Sequence, residues 1–161
     1  MRMRVHRIDV IAEPEFLLRR HGSDLLGDER LLALASNHHH RSSNTYAHCV
    51  SVALVALTFA RKHRIRVDIR SLVRACLLHD YYGYDNDHKP KRHLRTHPFA
   101  AFKNADRDFG INGVEHDIIV NHMWPIHPFL FPLTREGWLC CLADKIVAFR
   151  EWHNRHKKKA S

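Results

Sequence analysis

No stretch of this chain approaches the length of an apolar membrane span, no Cys-x-x-Cys pair occurs, and no Gly/Ser linker interrupts it. The first absence excludes a membrane-spanning helix, which needs roughly 20 predominantly apolar residues. The second bears on Cys49, Cys76, Cys140 and Cys141, each set inside an apolar stretch. Their placement reads as reduced, buried thiols of an intracellular protein, not as a disulfide frame or a zinc knuckle. With no linker and no internal repeat, the 161 residues read as one domain, long enough for a real core. The basic start Met1–Arg7 is followed by no apolar segment of the kind a secretory signal requires. The expected location is therefore the cytoplasm, with no membrane partner.

Acidic residues are in short supply: 17 Asp and Glu face 26 Lys and Arg, a formal charge of +9 at pH 7. That balance attracts anions such as nucleotides, nucleic acid or acidic lipid, and says nothing about fold. Apolar residues at 45% and charged residues at 27% are ordinary for a globular chain. Sixteen histidines add a reserve of metal ligands and proton carriers that titrate near neutral pH.

Helical patterns dominate. Two short amphipathic helices are expected between Pro14 and Ser36, broken near His21-Gly22-Ser23, followed by a polar turn over 37–44. From Thr45 to His63 the chain is apolar nearly all round, as a central buried helix should be. Asp68 reads as the N-cap of a helix running to His79-Asp80, and residues 81–95 as a loop. Thr96-His97-Pro98 starts the next helix, since proline fits a first turn, and Gly110 ends it. Asn112 with Glu115 is a variant capping box for a helix ending near His122. Pro125, Pro128 and Pro132 keep the next stretch non-helical. Thr134 caps a last long helix, apolar through Trp138, Leu139, Leu142, Ile146, Val147 and Phe149, which frays into the basic tail from His153. The fold class is all-α.

His79-Asp80 closes the apolar run Leu72–Leu78, a place where packing does not explain two polar neighbours. Aspartate is almost never fully buried unless paired or bound, and both side chains need partners. Asp144 poses the same problem inside an apolar helix, flanked by Leu142, Ala143, Ile146 and Val147. A buried carboxylate is costly unless a cation offsets it, and that cation is either an ion-pair partner such as Lys145 or a metal. With His48 in the helix before them, the set His48, His79, Asp80 and Asp144 points to a hydrolytic metal site. Mixed imidazole and carboxylate donors suit Fe, Mn, Zn or Ni.

The words NTYAHCVSVA around His48, RACLLHD ending at Asp80, and LADKI around Asp144 resemble the HD-domain metal-dependent phosphohydrolase superfamily. The resemblance covers roughly residues 37–150. It implies a helical bundle of the HD type over 37–152, preceded by an N-terminal helical segment (1–36) and followed by the basic tail (153–161). It also implies hydrolysis of a phosphomonoester or phosphodiester of a nucleotide or small phosphorylated metabolite. By the same resemblance one divalent transition metal takes His48, His79, Asp80 and Asp144. A second takes His97 and His122, with Asp80 bridging the two. Relatives with a fuller ligand set carry a His-His pair where this chain has His122-Met123, which implies a second ion that is open, weak or absent.

Lys145, beside Asp144, is the resemblance-based candidate for catalytic phosphate contact, with His40, Arg41 and Lys103 as further substrate-binding candidates. Tyr81, Tyr82 and Tyr84 read as a hydrophobic plug or as stacking partners for a base. Trp124, Phe129 and Phe131 read as packing or a homodimer contact. Two other functions stay open: a di-iron oxygenase on the same scaffold, and a non-catalytic basic nucleic-acid-binding or sensor module with a vestigial site. No recognised nucleic-acid motif accompanies the basic tail, so nucleic acid is not the expected partner.

Overall fold

The computed structural model describes residues 7–36, 44–82 and 90–160. Among these the chain forms eight helices: α1 (Pro14–His21), α2 (Ser23–Leu26), α3 (Glu29–Ser36), α4 (Thr45–Lys62), α5 (Ile69–Leu78), α6 (Pro90–Phe109), α7 (Gly113–Asn121) and α8 (Arg135–Ala160). One isolated antiparallel bridge joins Ile8 to Val67. The all-α expectation holds. None of the described helices is long and apolar enough to cross a membrane.

Helix α5 is the most enclosed element. Every residue from Ser71 to His79 is buried, against α4 on one side and α7 on another. The sequence pattern assigns that central position to α4. In fact α4 buries Cys49, Val52, Ala53, Ala56, Leu57 and Ala60, while Leu54 and Val55 are half-buried and Thr58 is exposed. Four- and three-residue spacing of small side chains lets α4 lie close to α5 and α8 along one face.

Helix ends follow local chemistry. The Asn44 side chain accepts from Ala47 N at 2.7 Å, and Asp68 accepts from Ser71 N at 3.1 Å and Ser71 Oγ at 2.9 Å. Asn112 accepts from Glu115 N while the Glu115 carboxylate accepts from Asn112 N, both at 2.9 Å, closing the expected capping box. The Thr134 hydroxyl accepts from Gly137 N at 2.9 Å and starts α8. Gly110, at φ +59°, ends α6 in the left-handed region open to glycine.

Three boundaries differ from the sequence reading. The segment 14–36 holds three helices, because Gly27 punctuates it as well as Gly22. Helix α6 begins at Pro90 and carries Pro98 inside it; proline at the first position sets the start one loop earlier than expected. Residues 90–95 are thus helical, whereas 83–89 lie outside the described residues. Helix α8 continues to Ala160 instead of fraying at His153. Its buried face is Leu139, Cys140, Ala143 and Val147, leaving Trp138, Leu142 and Phe149 exposed. Length and regular hydrogen bonding carry the helix past the end of its core contacts.

The N-terminal helices share the central core, since Leu17, Leu18, Leu25, Leu31 and Leu34 pack in one cluster with Leu57, Leu72 and Ile118. Buried polar groups away from the helix convergence are paired among the described residues. Arg74 donates to Glu115 at 2.9 Å and also to Asp24. Asp117 accepts from Asn121 Nδ2 (2.8 Å), Leu133 N (2.9 Å), Thr134 N (2.9 Å) and Thr134 Oγ (2.6 Å), tying α7 to the start of α8. A Cβ on Gly137 would stand 2.7 Å from Asp117 Oδ2, so this joint needs glycine. Glu136, fully buried, accepts from Asp68 N at 2.8 Å and Arg7 Nε at 2.9 Å, tying α8 to the start of α5. These joints set the angles at which α4, α5, α7 and α8 converge. The four cysteines are buried and free.

Candidate metal centre

Six side chains from five regions of sequence meet where those helices converge. His48 comes from α4, His79 and Asp80 from the C-terminal end of α5, His97 from α6, His122 from the end of α7 and Asp144 from α8. His48 Nε2 lies 3.1 Å from Asp144 Oδ1. His79 Nε2 lies 3.7 Å from the same oxygen and 3.6 Å from Asp80 Oδ2. On the other side of Asp80, its Oδ1 stands 3.3 Å from His97 Nε2 and 3.7 Å from His122 Nε2. The two latter nitrogens are 3.1 Å apart.

Donors held about 2.1 Å from a single ion at tetrahedral or octahedral angles lie roughly 3.0–3.4 Å from one another. Most of these separations fall in or near that range. Two groups of three have all their donor atoms within 4.8 Å of each other: His48, His79 and Asp80, and Asp80, His97 and His122. Asp80 belongs to both.

The imidazoles are already turned for coordination. His79 Nδ1 donates to the Cys76 carbonyl at 2.8 Å and His122 Nδ1 to the Ile119 carbonyl at 2.7 Å. Each histidine follows the last turn of its helix, so the carbonyl three residues back is the natural acceptor. A proton on Nδ1 leaves the Nε2 lone pair pointing into the cluster. His79 Nε2 is fully buried with no hydrogen-bond partner among the described residues. Buried polar atoms are rarely left so. A cation shared with Asp80 and Asp144 supplies what that atom lacks, and the donor set fits such an ion.

Electrostatics agree. Burial would lower the His48 pKa, yet its hydrogen bonds to the carboxylates of Asp144 and Glu151 push it up to about 10. Burial also opposes charge on His79, but the Asp80 charge holds it well above the ordinary value. Burial would raise Asp80, and the charge of His79 with the His97 hydrogen bond holds it well below the usual range. Asp144 is likewise depressed against burial, by the hydrogen bond from His48 and the nearby charge of His79. His122 goes the other way: burial, with repulsion from His79, lowers it to about 3. Protons on imidazole thus balance two carboxylates in the chain without metal. A divalent cation held by these donors would replace those protons in the same place.

The family model for the HD domain matches residues 45–148, which contain all six of these side chains. The chain belongs to the HD-domain family. Membership sets it in a superfamily of metal-dependent hydrolases. No curated protein and no solved structure matches the chain.

Around the HD centre the other expected residues separate. Lys145 Nζ donates to the His122 carbonyl at 2.8 Å and stands 3.7 Å from Asp144 Oδ2, with its side chain 38% exposed. It therefore bridges the cluster and solvent. Lys103 is exposed and lies about 120° around α6 from buried His97, on a face turned away from the cluster. His40 and Arg41 lie outside the described residues, as does Tyr84. Tyr81 is buried, donates to Asp108 at 2.9 Å and packs on Phe109, which is the plug reading. Tyr82 is half-buried with its ring 5.3 Å from that of His97, at the edge of the centre. Trp124 packs edge-on against Trp138, while Phe129 and Phe131 are exposed.

Sequence reasoning passed over Glu151. Its two carboxylate oxygens each stand 3.3 Å from His48 Nδ1. The available signal was an acid two helical turns after Asp144, on the same face of α8. It stands two residues before the stretch that reads as a basic tail.

Proposed function

We propose that this HD-domain chain is a metal-dependent phosphohydrolase that cleaves a phosphate ester of a nucleotide or small phosphorylated metabolite. The observation that carries the reading is the Asp80 carboxylate, whose two oxygens face two separate groups of histidines. A shared carboxylate between two donor groups suits a pair of divalent transition ions such as Fe, Mn, Zn or Ni. His48, His79, Asp80 and Asp144 hold the first, and Asp80, His97 and His122 the second.

Bound there, such ions supply phosphate charge neutralisation and a water acidic enough to attack near neutral pH. The rest falls to the protein. Asp80 holds both groups in register through its two oxygens. Lys145 keeps one N–H on the His122 carbonyl and has donors left for a phosphate oxygen at the exposed side of the cluster. Phosphoryl transfer depends chiefly on such positioning and charge. The chain's +9 charge favours the approach of an anionic substrate. Four buried free thiols support a reducing compartment such as the cytoplasm.

The test is metal analysis of protein purified without chelator, wild type beside Asp80→Ala, followed by a phosphate-ester screen with the metal found. Close to two equivalents in the wild type, lost with all turnover in the variant while the helical circular dichroism persists, is the expected result. Phosphatase activity that survives in metal-free Asp80→Ala would overturn it.

A further inference from the structure

We propose that Glu151 is a positioning residue that makes the His48 side of the centre the tighter of two metal sites. The inference rests on the metal-centre reading above and adds to it an order of loading. Asp144 and Glu151 project from one face of α8, two turns apart, and the His48 ring sits between them. Nε2 faces Asp144 at 3.1 Å and Nδ1 faces both Glu151 oxygens at 3.3 Å. The side chains of His48 and Glu151 are only 12% and 23% exposed, so solvent screens this contact less than it would a surface pair.

The contrast with the His79 and His122 rings carries the argument. His79 and His122 give Nδ1 to backbone carbonyls, which fix the tautomer and add no charge. His48 gives Nδ1 to a carboxylate, which fixes the tautomer and also strengthens Nε2 as an electron donor. Net charge differs in the same direction. Asp80, Asp144 and Glu151 surround the His48–His79 group. Among the described residues the His97–His122 group has Asp80, while the Lys145 ammonium touches both groups, on the His122 carbonyl and 3.7 Å from Asp144 Oδ2. A dication therefore fills the first group before the second. Glu151 lies on α8 past residue 148, where the HD-domain match ends.

Cobalt(II) titration of the full-length protein, followed by visible ligand-field absorption and metal analysis, separates the two binding events. Wild type takes up cobalt in a tight step and then a weaker one. Glu151→Gln keeps the size and removes the charge, weakening the first step about tenfold, and Glu151→Ala weakens it by up to about 100-fold. The second step is unmoved in both, so the two steps converge. A first step unchanged in both variants overturns the proposal. So does equal weakening of both steps, which marks general loss of structure and not positioning. Should Glu151→Ala lose its helical circular dichroism, the near-isosteric Glu151→Gln decides alone. Wild-type protein that takes up no cobalt overturns the metal-centre reading itself, and this inference with it.

Discussion

His48 Nε2 and Asp144 Oδ1 meet at 3.1 Å although 96 positions of sequence separate them. One belongs to α4 and the other to α8, and the two helices pack directly against each other. The contact is a structural clamp and, on the proposed reading, half of a metal site. Without a metal it is a charged hydrogen bond, and with one it becomes two donors to the same ion. Each state satisfies a carboxylate that burial alone would make costly.

That exchange makes metal affinity depend on pH. His48, raised to about 10, and His79, also raised, carry protons at neutral pH that an incoming cation displaces. Affinity for a divalent ion should climb from pH 6 to 9, with protons released on binding. Isothermal titration in buffers of different ionisation enthalpy measures that release; none at pH 7 would contradict the assigned charges.

Stability of the metal-free chain follows from the same shifts by linkage. The His48 pKa is raised on folding, so its contribution is fully present below about 6.5 and is lost as pH rises towards about 10. Neutral, buried His122 has the opposite sign: its contribution is present above 6.5 and is lost as pH falls towards about 3. The depressed carboxylates Asp80 and Asp144 add stability above their ordinary range near 3.8, lost on further acidification. For these groups the metal-free protein is most stable near pH 6.5. Melting temperatures measured with chelator from pH 4 to 9 should show that maximum, and saturating metal should flatten the alkaline limb.

Lys145→Ala should retain its metal and its melting temperature but lose phosphate contact. Charge-assisted hydrogen bonds contribute about 1.5–3 kcal/mol, so kcat/KM should fall roughly 10- to 100-fold. Inorganic phosphate should inhibit the variant less than the wild type. Unchanged kinetics would return Lys145 to a purely structural bond with the His122 carbonyl.

Arg74→Ala tests the fold apart from the site. Arg74 and Glu115 are both buried and joined at 2.9 Å between α5 and α7. Removing the guanidinium leaves the buried Glu115 carboxylate with the Asn112 N–H but no counter-ion, a change that costs about 3–5 kcal/mol. Urea unfolding gives the loss directly, and replacing both residues by apolar ones should recover much of it. A loss below about 1 kcal/mol would mean that Glu115 regains solvent or a new partner.

Local signals in the chain were enough for the all-α class, most helix starts and four of the six clustered side chains, while His97 and His122 followed from the family resemblance. Asn44, Asp68, Asn112 and Thr134 cap where they stand because a cap is a contact within a few residues. His79-Asp80 and Asp144 stood out because polar groups in apolar runs need partners, whatever the fold. The orientation of longer elements was not local. Whether α4 or α5 is innermost, and which side of α8 faces water, depended on packing partners far away in sequence. Residues 90–95 turned out helical although the pattern read as loop. Glu151 escaped notice because a solvated acid and a carboxylate gripping an imidazole look alike until α4 is laid against α8. The amino-acid sequence by itself determined which residues could not remain alone in a core. Only the tertiary structure decided which partner each one found, since contacts between distant segments depend on how whole helix faces bury together.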